Sequence, residues 1–401
     1  MPNAPRPPRR VTIPDVARHA GVGQATAARV LGGYGSSSAA TRERVLAAAA
    51  ELGYSTNAVA RSMISGRTHT LGVVVADVEN AYFARAVRGV TDVAARAGLQ
   101  VVLANSDENG PTERAAVQMF IERRVDGLVV APAAADHEHL DKAVASGVPV
   151  VLLDRVVSGA GLDTVVVDNR GAAQAAVARF TDAGHTRIAV VTSASPDENT
   201  ARLAPGADIW TTTERLTGYR QALRAAGIPR GAELIRHTGY DRALARSAVL
   251  ELMCAEHRPT ALFTTDNVAT LGTLDALLDL GARIPDDVSV IGFDDAEWAT
   301  LVRPRLSVVS QPVQELGRLA ADILIRRIEG STARPRRHTL RTAYVPREST
   351  GPAPARVRRL RAPGSEGGAL RRPRTHPARR APALPRPRPR AGRVRPGCPV
   401  R

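Results

Sequence analysis

Short apolar runs alternate with longer amphipathic stretches through most of the chain, from about residue 71 to about residue 350. Eight of the runs are rich in β-branched residues and have the length of buried strands. They begin at Leu71, Leu99, Gly127, Val148, Thr164, Arg187, Thr260 and Val288. Helical periodicity fills the intervals between them. This alternation predicts an α/β fold in which parallel sheets are flanked by helices.

The predicted strands fall into two groups, one ending near Asp154 and the other beginning near Arg187. Two lobes are therefore expected rather than one oversized sheet. Ligands of open α/β sheets bind at the carboxyl ends of strands. Polar residues follow the strands at those ends, namely Asp77, Asn105, Asp154, Thr192, Asp266 and Asp294.

Three short helices are predicted ahead of the α/β region. Thr12 can cap a first helix with Asp15 in its first turn, and Gly21 permits a tight turn into a second helix over 24–31. A third helix is predicted over 41–52. The first two form a helix-turn-helix, whose second helix would lie in the major groove of DNA.

Basic charge is concentrated at the two ends of the chain. Residues 351–401 carry a net charge of +14 and residues 1–70 a net +6, which leaves −4 for residues 71–350. Such ends indicate a polyanionic partner, and nucleic acid is the commonest soluble one. Residues 1–10 are predicted to be a disordered arm and 351–401 a disordered Arg/Pro-rich tail. The tail could be a solvated appendage, a reading-frame accident or an auxiliary nonspecific DNA contact.

Several classes of protein are excluded by the sequence. No apolar run approaches the roughly 18 residues of a membrane span, and no apolar segment follows the basic N-terminus as in a signal peptide. Cys254 and Cys398 are expected to be reduced thiols in a cytoplasmic protein. The glycines of GVGQAT, residues 21–26, follow a helix and lack the third glycine of a dinucleotide fingerprint. We expect no enzyme activity, no catalytic residues, no cofactor and no metal site.

The motifs, taken in order, resemble those of the lactose-repressor-like (LacI/GalR) family of bacterial transcriptional regulators. The resemblance covers residues 11 to about 350. It rests on TIPDVARHAGVGQATAARVLGG (12–33), ATRERV (40–45), NAYFARAVRG (80–89), PTALFTTDN (259–267) and IPDDVSVIGFDD (284–295). It implies a helix-turn-helix domain over 11–56, a hinge helix and linker over 57–70, and a periplasmic-binding-protein-like effector and dimerisation domain over 71–350. The first lobe would hold about 71–167 and 309–338, and the second about 168–308 and 339–350.

The resemblance also implies which residues contact DNA. In the head and the hinge helix they are Thr12, Gln24, Ala25, Thr26, Arg29, Asn57, Ala60 and Met63. The fork of Arg29 matches guanine, and Met63 would wedge between base pairs in the minor groove. The alternatives are that the head residues are merely exposed and that residues 57–64 are a plain linker.

An effector site is implied in the same way. Its residues are Tyr82, Phe83, Asp154, Ser193, Arg215, Asp266, Asp294 and Trp298. A carboxylate and a guanidinium that face each other suit a polyhydroxylated ligand. The alternatives are a helix cap or solvated acid for Asp294, a structural ion pair for Arg215, and core packing for the aromatic residues. Residues 199–213 could gate the pocket or form a surface insertion.

Together these features predict a cytoplasmic repressor that binds a pseudo-palindromic double-stranded operator as a homodimer and responds to a sugar or a sugar derivative. No membrane partner is expected. The alternative is a solute-binding protein without DNA function, which would need a secretory signal and no helix-turn-helix.

Overall fold

A computed structural model of the chain describes residues 11–32, 35–54, 67–133, 136–193, 210–229 and 234–360. Some of the sequence predictions concern segments outside these ranges. They are the basic arm, the hinge residues Asn57, Ala60 and Met63, most of the 199–213 segment, and the tail from residue 361.

The head contains three helices, α1 (Ile13–His19), α2 (Gln24–Gly32) and α3 (Ala39–Glu51). Gly21 has φ +63° in the turn between α1 and α2, a conformation that favours glycine. Val16, Ala27 and Val45 form the centre of a small apolar core. Leu46, expected from its spacing to face this core, is 48% exposed, and the buried residues of α3 are Val45, Ala48 and Ala49.

The body is built from two sheets and the helices that cover them. The strands are β1 (Thr70–Val75), β2 (Gln100–Asn105), β3 (Gly127–Val130), β4 (Val150–Leu153), β5 (Asp163–Val167), β6 (Ile188–Thr192), β7 (Ile235–His237), β8 (Ala261–Thr264), β9 (Ser289–Phe293), β10 (Ser307–Ser310), β11 (Arg337–Leu340) and β12 (Ala343–Val345). The helices are α4 (Ala81–Arg96), α5 (Gly110–Glu122), α6 (Glu138–Ala145), α7 (Asn169–Asp182), α8 (Trp210–Ala225), α9 (Arg242–Cys254), α10 (Asn267–Asp279) and α11 (Val313–Ile328), with a short 3₁₀ helix at Glu297–Thr300.

The first sheet has the strand order β11-β5-β4-β3-β1-β2, with every pair parallel. The second has the order β12-β10-β9-β8-β6-β7, in which only β12 pairs antiparallel. Alternate strand residues point to opposite faces. Val73 therefore packs with α4 and α11, and Val74 packs with α5 and α6. Helices α9 and α10 cover one face of the second sheet, and α7 and α8 cover the other. The predicted α/β class with parallel sheets is confirmed.

The chain crosses between the sheets three times, after β5, after β10 and after β11. The lobe boundaries differ slightly from the expected ones. Strand β10 lies wholly in the second sheet, although a return to the first lobe was expected at residue 309. Strand β11 stays in the first sheet to Leu340, two residues beyond the expected limit, because it pairs along β5 as far as Val167.

The start of the tail is a larger correction. Residues 351–360 were expected to be disordered, but they pack against the second lobe. Ala353 N donates to Ala183 O at 2.9 Å, and Leu360 is 5% exposed within the apolar core of that lobe. Hydrogen bonds and one buried leucine thus hold a segment whose composition favours disorder.

Among the described residues, no helix has both the length and the apolar character that a bilayer crossing requires.

Candidate functional site

The helix-turn-helix of the head is held by short-range polar contacts. Thr12 begins α1, and its N and Oγ1 both donate to Asp15 Oδ2, at 3.0 and 2.6 Å. His19 Nε2 lies 2.7 Å from Glu51 Oε2, which links the end of α1 to the end of α3. These contacts fix the orientation of α1 against its neighbours.

Helix α2 presents the predicted base-reading residues to solvent. Gln24, Ala25 and Arg29 are exposed, and Thr26 is half-buried. Arg29 Nε donates to Ala25 O at 3.3 Å. That bond directs the side chain back along α2, and both Nη groups remain available among the described residues.

On the first lobe, the ligand cleft is built where β4 ends. Asp154 follows β4 with φ +70° and is 6% exposed. Tyr82, in the first turn of α4, donates its hydroxyl to Asp154 Oδ1 at 2.7 Å. Burial and the charge of Asp154 raise the pKa of Tyr82 well above its usual value, so this hydroxyl stays a donor. Phe83 lies edge-on to Tyr82, with 5.1 Å between ring centroids.

On the second lobe, Asp294 follows β9 in a matching way, with φ +80°. Gln311 Nε2 donates to Asp294 Oδ1 at 2.5 Å. Burial raises the pKa of Asp294 to about 6, and the charges of Asp266 and Asp154 act in the same direction against Arg215. The carboxylates of Asp154 and Asp266 are therefore close enough to act on Asp294.

Arg215 is held by two neutral hydrogen-bond acceptors and an aromatic ring. Among the described residues it forms no ion pair. Its Nε donates to Asn169 Oδ1 at 2.8 Å and its Nη1 to Thr265 O at 2.6 Å. The guanidinium carbon lies 3.7 Å from the centroid of the Phe293 ring, a cation–π geometry. Because no carboxylate is consumed, the charge of Arg215 is available to a ligand.

Asp266 serves the fold and lines the cleft at once. Its Oδ1 caps α10 by accepting from Ala269 N at 2.9 Å, and its Oδ2 accepts from Thr265 Oγ1 at 3.1 Å.

These groups converge on a cavity of about 320 Å³ between the lobes. Its lining is Asn80, Tyr82, Phe83, Asp154, Arg155, Thr211, Arg215, Tyr240, Asp266, Asp294 and Gln311. A second cavity of about 360 Å³ adjoins it and shares Asn80, Tyr82, Asp294 and Gln311. Arg85, Asn267 and Asp295 line only that second cavity.

Two predicted effector residues do not line either cavity. Trp298, in the 3₁₀ helix, is half-buried against the apolar core of the second lobe, because that helix turns its indole towards the protein interior. Ser193 is 1% exposed just after β6, and its Oγ has no hydrogen-bond partner among the described residues.

Sequence reasoning missed Arg155, Tyr240, Gln311 and Asn80. Arg155 is 3% exposed, and its two Nη groups donate to the two oxygens of Glu108 at 2.5 and 2.6 Å. Glu108 is the larger source of the raised pKa of Arg155, with Asp154 adding to it. The sequence did hold a signal for Arg155, because this residue directly follows Asp154 at the carboxyl end of a predicted strand.

Comparison with known proteins agrees with both halves of this architecture. The model of bacterial regulatory proteins, lacI family, matches residues 12–57, and that of the periplasmic binding protein-like domain matches 177–350. Catabolite control protein A of Priestia megaterium is 33% identical over 323 residues, covering 80% of this chain and 94% of that protein. The ribose operon repressor of Escherichia coli K12 is 32% identical over 342 residues, covering 84% and 99%.

A solved structure of the lac repressor dimer bound to operator and the anti-inducer ONPF superposes with a TM-score of 0.74 at 25% identity, over 86% of this chain and 100% of that one. The chain belongs to the lacI family of bacterial regulatory proteins, and it is a regulator rather than an enzyme.

Proposed function

We propose that this protein is a transcriptional repressor that binds a pseudo-palindromic operator as a homodimer. A small sugar changes its affinity for the operator. The observation that carries the proposal is the union, in one chain, of an exposed helix-turn-helix and a polar interlobe cleft. The lac repressor structure, a dimer on its operator, supports the same arrangement here.

The chemistry of the cleft favours a ligand rich in hydroxyl groups. Asp154 and Asp294 each accept one hydrogen bond from a protein donor, and Asp154 Oδ2 also lies 3.4 Å from Arg155 Nε. Arg215 retains an unbonded Nη2 among the described residues. Carboxylates accept from hydroxyls and a guanidinium donates to them, so one ring can satisfy both. Phe83 and the Tyr82 ring supply an apolar wall.

The similar proteins narrow the ligand class further. The name of the ribose operon repressor, whose sequence is similar over nearly its whole length, supports a pentose.

The mechanism follows from where the contacts originate. Tyr82 and Asp154 belong to the first lobe, whereas Arg215 and Asp294 belong to the second. A ligand held by both sets favours the arrangement of the lobes that allows all four contacts. Operator affinity then rises or falls according to which arrangement suits the paired heads, and the coupling is reciprocal.

Specific DNA reading is proposed for Arg29, with Gln24, Ala25 and Thr26 beside it on α2 and Thr12 at the start of α1. A bidentate contact of arginine with guanine provides about 1 to 3 kcal/mol of discrimination. Arg29→Ala should therefore lower the preference for operator over mixed-sequence DNA by roughly 5- to 150-fold without unfolding the head, because the side chain is exposed.

The decisive experiment is DNase footprinting of the full chain on the DNA upstream of its own gene, with a panel of pentoses and hexoses. We expect a two-fold symmetric footprint that one sugar strengthens or weakens. Arg29→Ala should lose the footprint, and Asp294→Asn should keep the footprint but lose the sugar response. Equal protection of every sequence, unaffected by any sugar, would refute the proposal.

A further inference from the structure

The amino ends of the parallel strands in the first sheet form one edge of the lobe, opposite to the edge that carries the cleft residues. Three segments lie at this edge because they precede β1, β3 and β11: residues 67–69, 123–126 and 329–336. The first of them is where the chain enters the body from the head.

Hydrogen bonds join these segments into one surface. Arg67 Nη2 donates to Ile328 O, at the end of α11, at 3.1 Å. Thr68 Oγ1 donates to Arg124 O at 2.9 Å, and Thr68 N donates to Asp126 Oδ1 at 2.7 Å. The entry point of the chain is thus tied to both of the other segments.

The loop over 329–336 is anchored at its far end as well. Asp163, 5% exposed at the start of β5, accepts from Arg336 N at 2.9 Å and from Arg327 Nη2 at 2.6 Å. Since β5 is separated from β1 by β4 and β3, the loop runs beneath several strands along the edge. Every residue from Glu329 to Arg336 is exposed, so these side chains contribute little to the core.

This edge carries an excess of unpaired positive charge. Five arginines are exposed and make no ion pair or side-chain hydrogen bond with another described residue: Arg123, Arg124, Arg326, Arg334 and Arg336. Some exposed arginines elsewhere in the body have acidic partners, as Arg242 does in Asp275 at 2.6 Å. Others, such as Arg96, Arg224 and Arg341, have none among the described residues, but they do not share one sheet edge. Residues 71–350 carry a net charge of −4, so this edge is positively charged although the body as a whole is negative.

We infer that this basic edge, defined by the five arginines, binds phosphates of the DNA that flanks the operator, without reading sequence. The inference rests on the proposed operator binding, which brings the partner into reach. Residue 54 ends the described head and residue 67 begins the body, and thirteen residues span at most about 45 Å. A duplex held by the head is therefore tethered near the basic edge at high effective concentration.

DNA fits this surface better than an acidic protein for a physical reason. The arginines are spread along a sheet edge rather than gathered in one pocket, and regularly spaced phosphates match a line of cations. The edge lies away from the cleft, so contact there does not compete with a sugar.

The test compares the salt dependence of DNA binding by two triple variants of the full chain. One is Arg123→Gln/Arg334→Gln/Arg336→Gln. Its matched control, Arg224→Gln/Arg356→Gln/Arg359→Gln, removes the same charge from exposed residues of the second lobe that also lack side-chain partners among the described residues. The probe is a mixed-sequence duplex that exceeds a two-half-site footprint by about one helical turn, roughly 10.5 bp, at each end.

Each phosphate contact contributes about 0.9 to the slope of log Kobs against log salt concentration. Because the two protomers of the proposed homodimer together lose six arginines, we expect the slope of the first variant to fall by up to about 5 and that of the control to equal the wild type. Equal slopes for the first variant and the wild type would overturn the inference, and so would an equal fall in both variants. Arg334→Gln alone, in the exposed loop, repeats the test with an expected fall of about 1.8, because each protomer loses one arginine.

The comparison also separates this inference from the proposed function. If the wild type shows no preference for any natural upstream sequence, operator recognition fails. The slope difference between the two variants on mixed-sequence DNA still decides whether the basic edge binds phosphates.

Discussion

At the scale of single residues, two of the three carboxylates of the cleft are held in a costly backbone conformation. Asp154 and Asp294 have φ of +70° and +80°, and both directly follow a strand. Non-glycine residues in this region cost of order 1 to 3 kcal/mol and persist where the surroundings enforce them. Glycine would relieve the strain but would remove the carboxylate. The conformation therefore keeps both carboxylates at the cleft at a cost in local stability.

Asp294→Asn should stabilise the ligand-free protein. The carboxyl titrates near 3.8 when unfolded and near 6 when folded, so the folded state binds more protons between these values. The free energy of unfolding of the wild type consequently falls as pH rises from about 3.8 to about 6. Above about pH 6 the buried carboxylate is ionised and the loss of stability is complete. Asparagine tolerates positive φ and removes the charge. Urea unfolding should give a higher free energy for the variant at about pH 8 and no difference below about pH 3.8.

The neighbouring Asp295→Asn is the control for this measurement. Arg347 Nη2 donates to both oxygens of Asp295, at 2.7 and 2.8 Å, and the amide would lose the ion pair. That variant should be less stable than the wild type near neutral pH. A destabilised Asp294→Asn protein at about pH 8 would contradict the assignment of a raised pKa.

At the scale of elements, the sequence predicted the strands that are continuous β-branched runs and missed the shorter or more polar ones. All eight β-branched runs are strands. Seven of them are buried, as a strand covered on both faces needs a continuous apolar sequence, and the eighth, β2, is an exposed edge strand. Strand β10 is buried but was missed, because its sequence Ser-Val-Val-Ser is short and begins and ends with a polar residue. Strands β7 and β12 have three residues each, and β11 reads Arg-His-Thr-Leu. These segments are strands because they pair with a neighbouring strand, and no local sequence pattern predicts that pairing.

Some cleft residues could likewise be predicted from the sequence and others could not. Asp154, Asp266 and Asp294 were expected at the cleft because they follow strands, and the topology of a parallel sheet brings the carboxyl ends of its strands together. Gln311 was missed because its role depends on the crossover after β10, which returns the chain past Asp294. Trp298 was expected at the cleft but packs against the core of the second lobe, because the sequence does not show which side of a short 3₁₀ helix faces inward.

The segment over 351–360 is an element that composition concealed. Arg358 Nη2 donates to Asp287 Oδ2 at 2.9 Å and Arg258 Nε donates to Arg358 O at 2.9 Å. Asp287, 3% exposed, also accepts from Arg283, and these hydrogen bonds lower its pKa against the opposing effect of burial. We infer that this segment closes the base of the second lobe.

Leu360→Ala should therefore destabilise the body. Replacing a buried leucine by alanine costs about 2 to 5 kcal/mol, and Leu360 is 5% exposed. The midpoint of urea unfolding should fall accordingly, whereas Leu301→Ala, at a residue 75% exposed, should leave it nearly unchanged. Equal midpoints for the two variants would show that the segment is not part of the cooperative unit.

At the scale of the whole molecule, one side chain connects the lobes directly beside the cleft. Arg85 of α4 donates from Nη1 to Asp295 O at 3.0 Å, and its Nη2 lies 3.6 Å from Glu297 Oε1. Arg85 belongs to the first lobe and both acceptors belong to the second. The contact thus exists only in a lobe arrangement that brings the cleft walls together.

Arg85→Ala should weaken sugar binding without touching the ring-binding residues. The exposed ion pair contributes at most about 1 kcal/mol and the hydrogen bond about 0.5 to 1.5 kcal/mol. A ligand that requires this lobe arrangement must then supply the difference itself, so affinity should fall by roughly 2- to 70-fold. Calorimetric titration with the sugar found by footprinting measures this loss. Arg88→Ala, one turn along the same helix with its bond to Asp92 at 2.8 Å inside the first lobe, should bind as the wild type does. Equal affinities for the two variants would mean that the lobes close without the arginine, and that the cleft residues alone set the coupling to DNA.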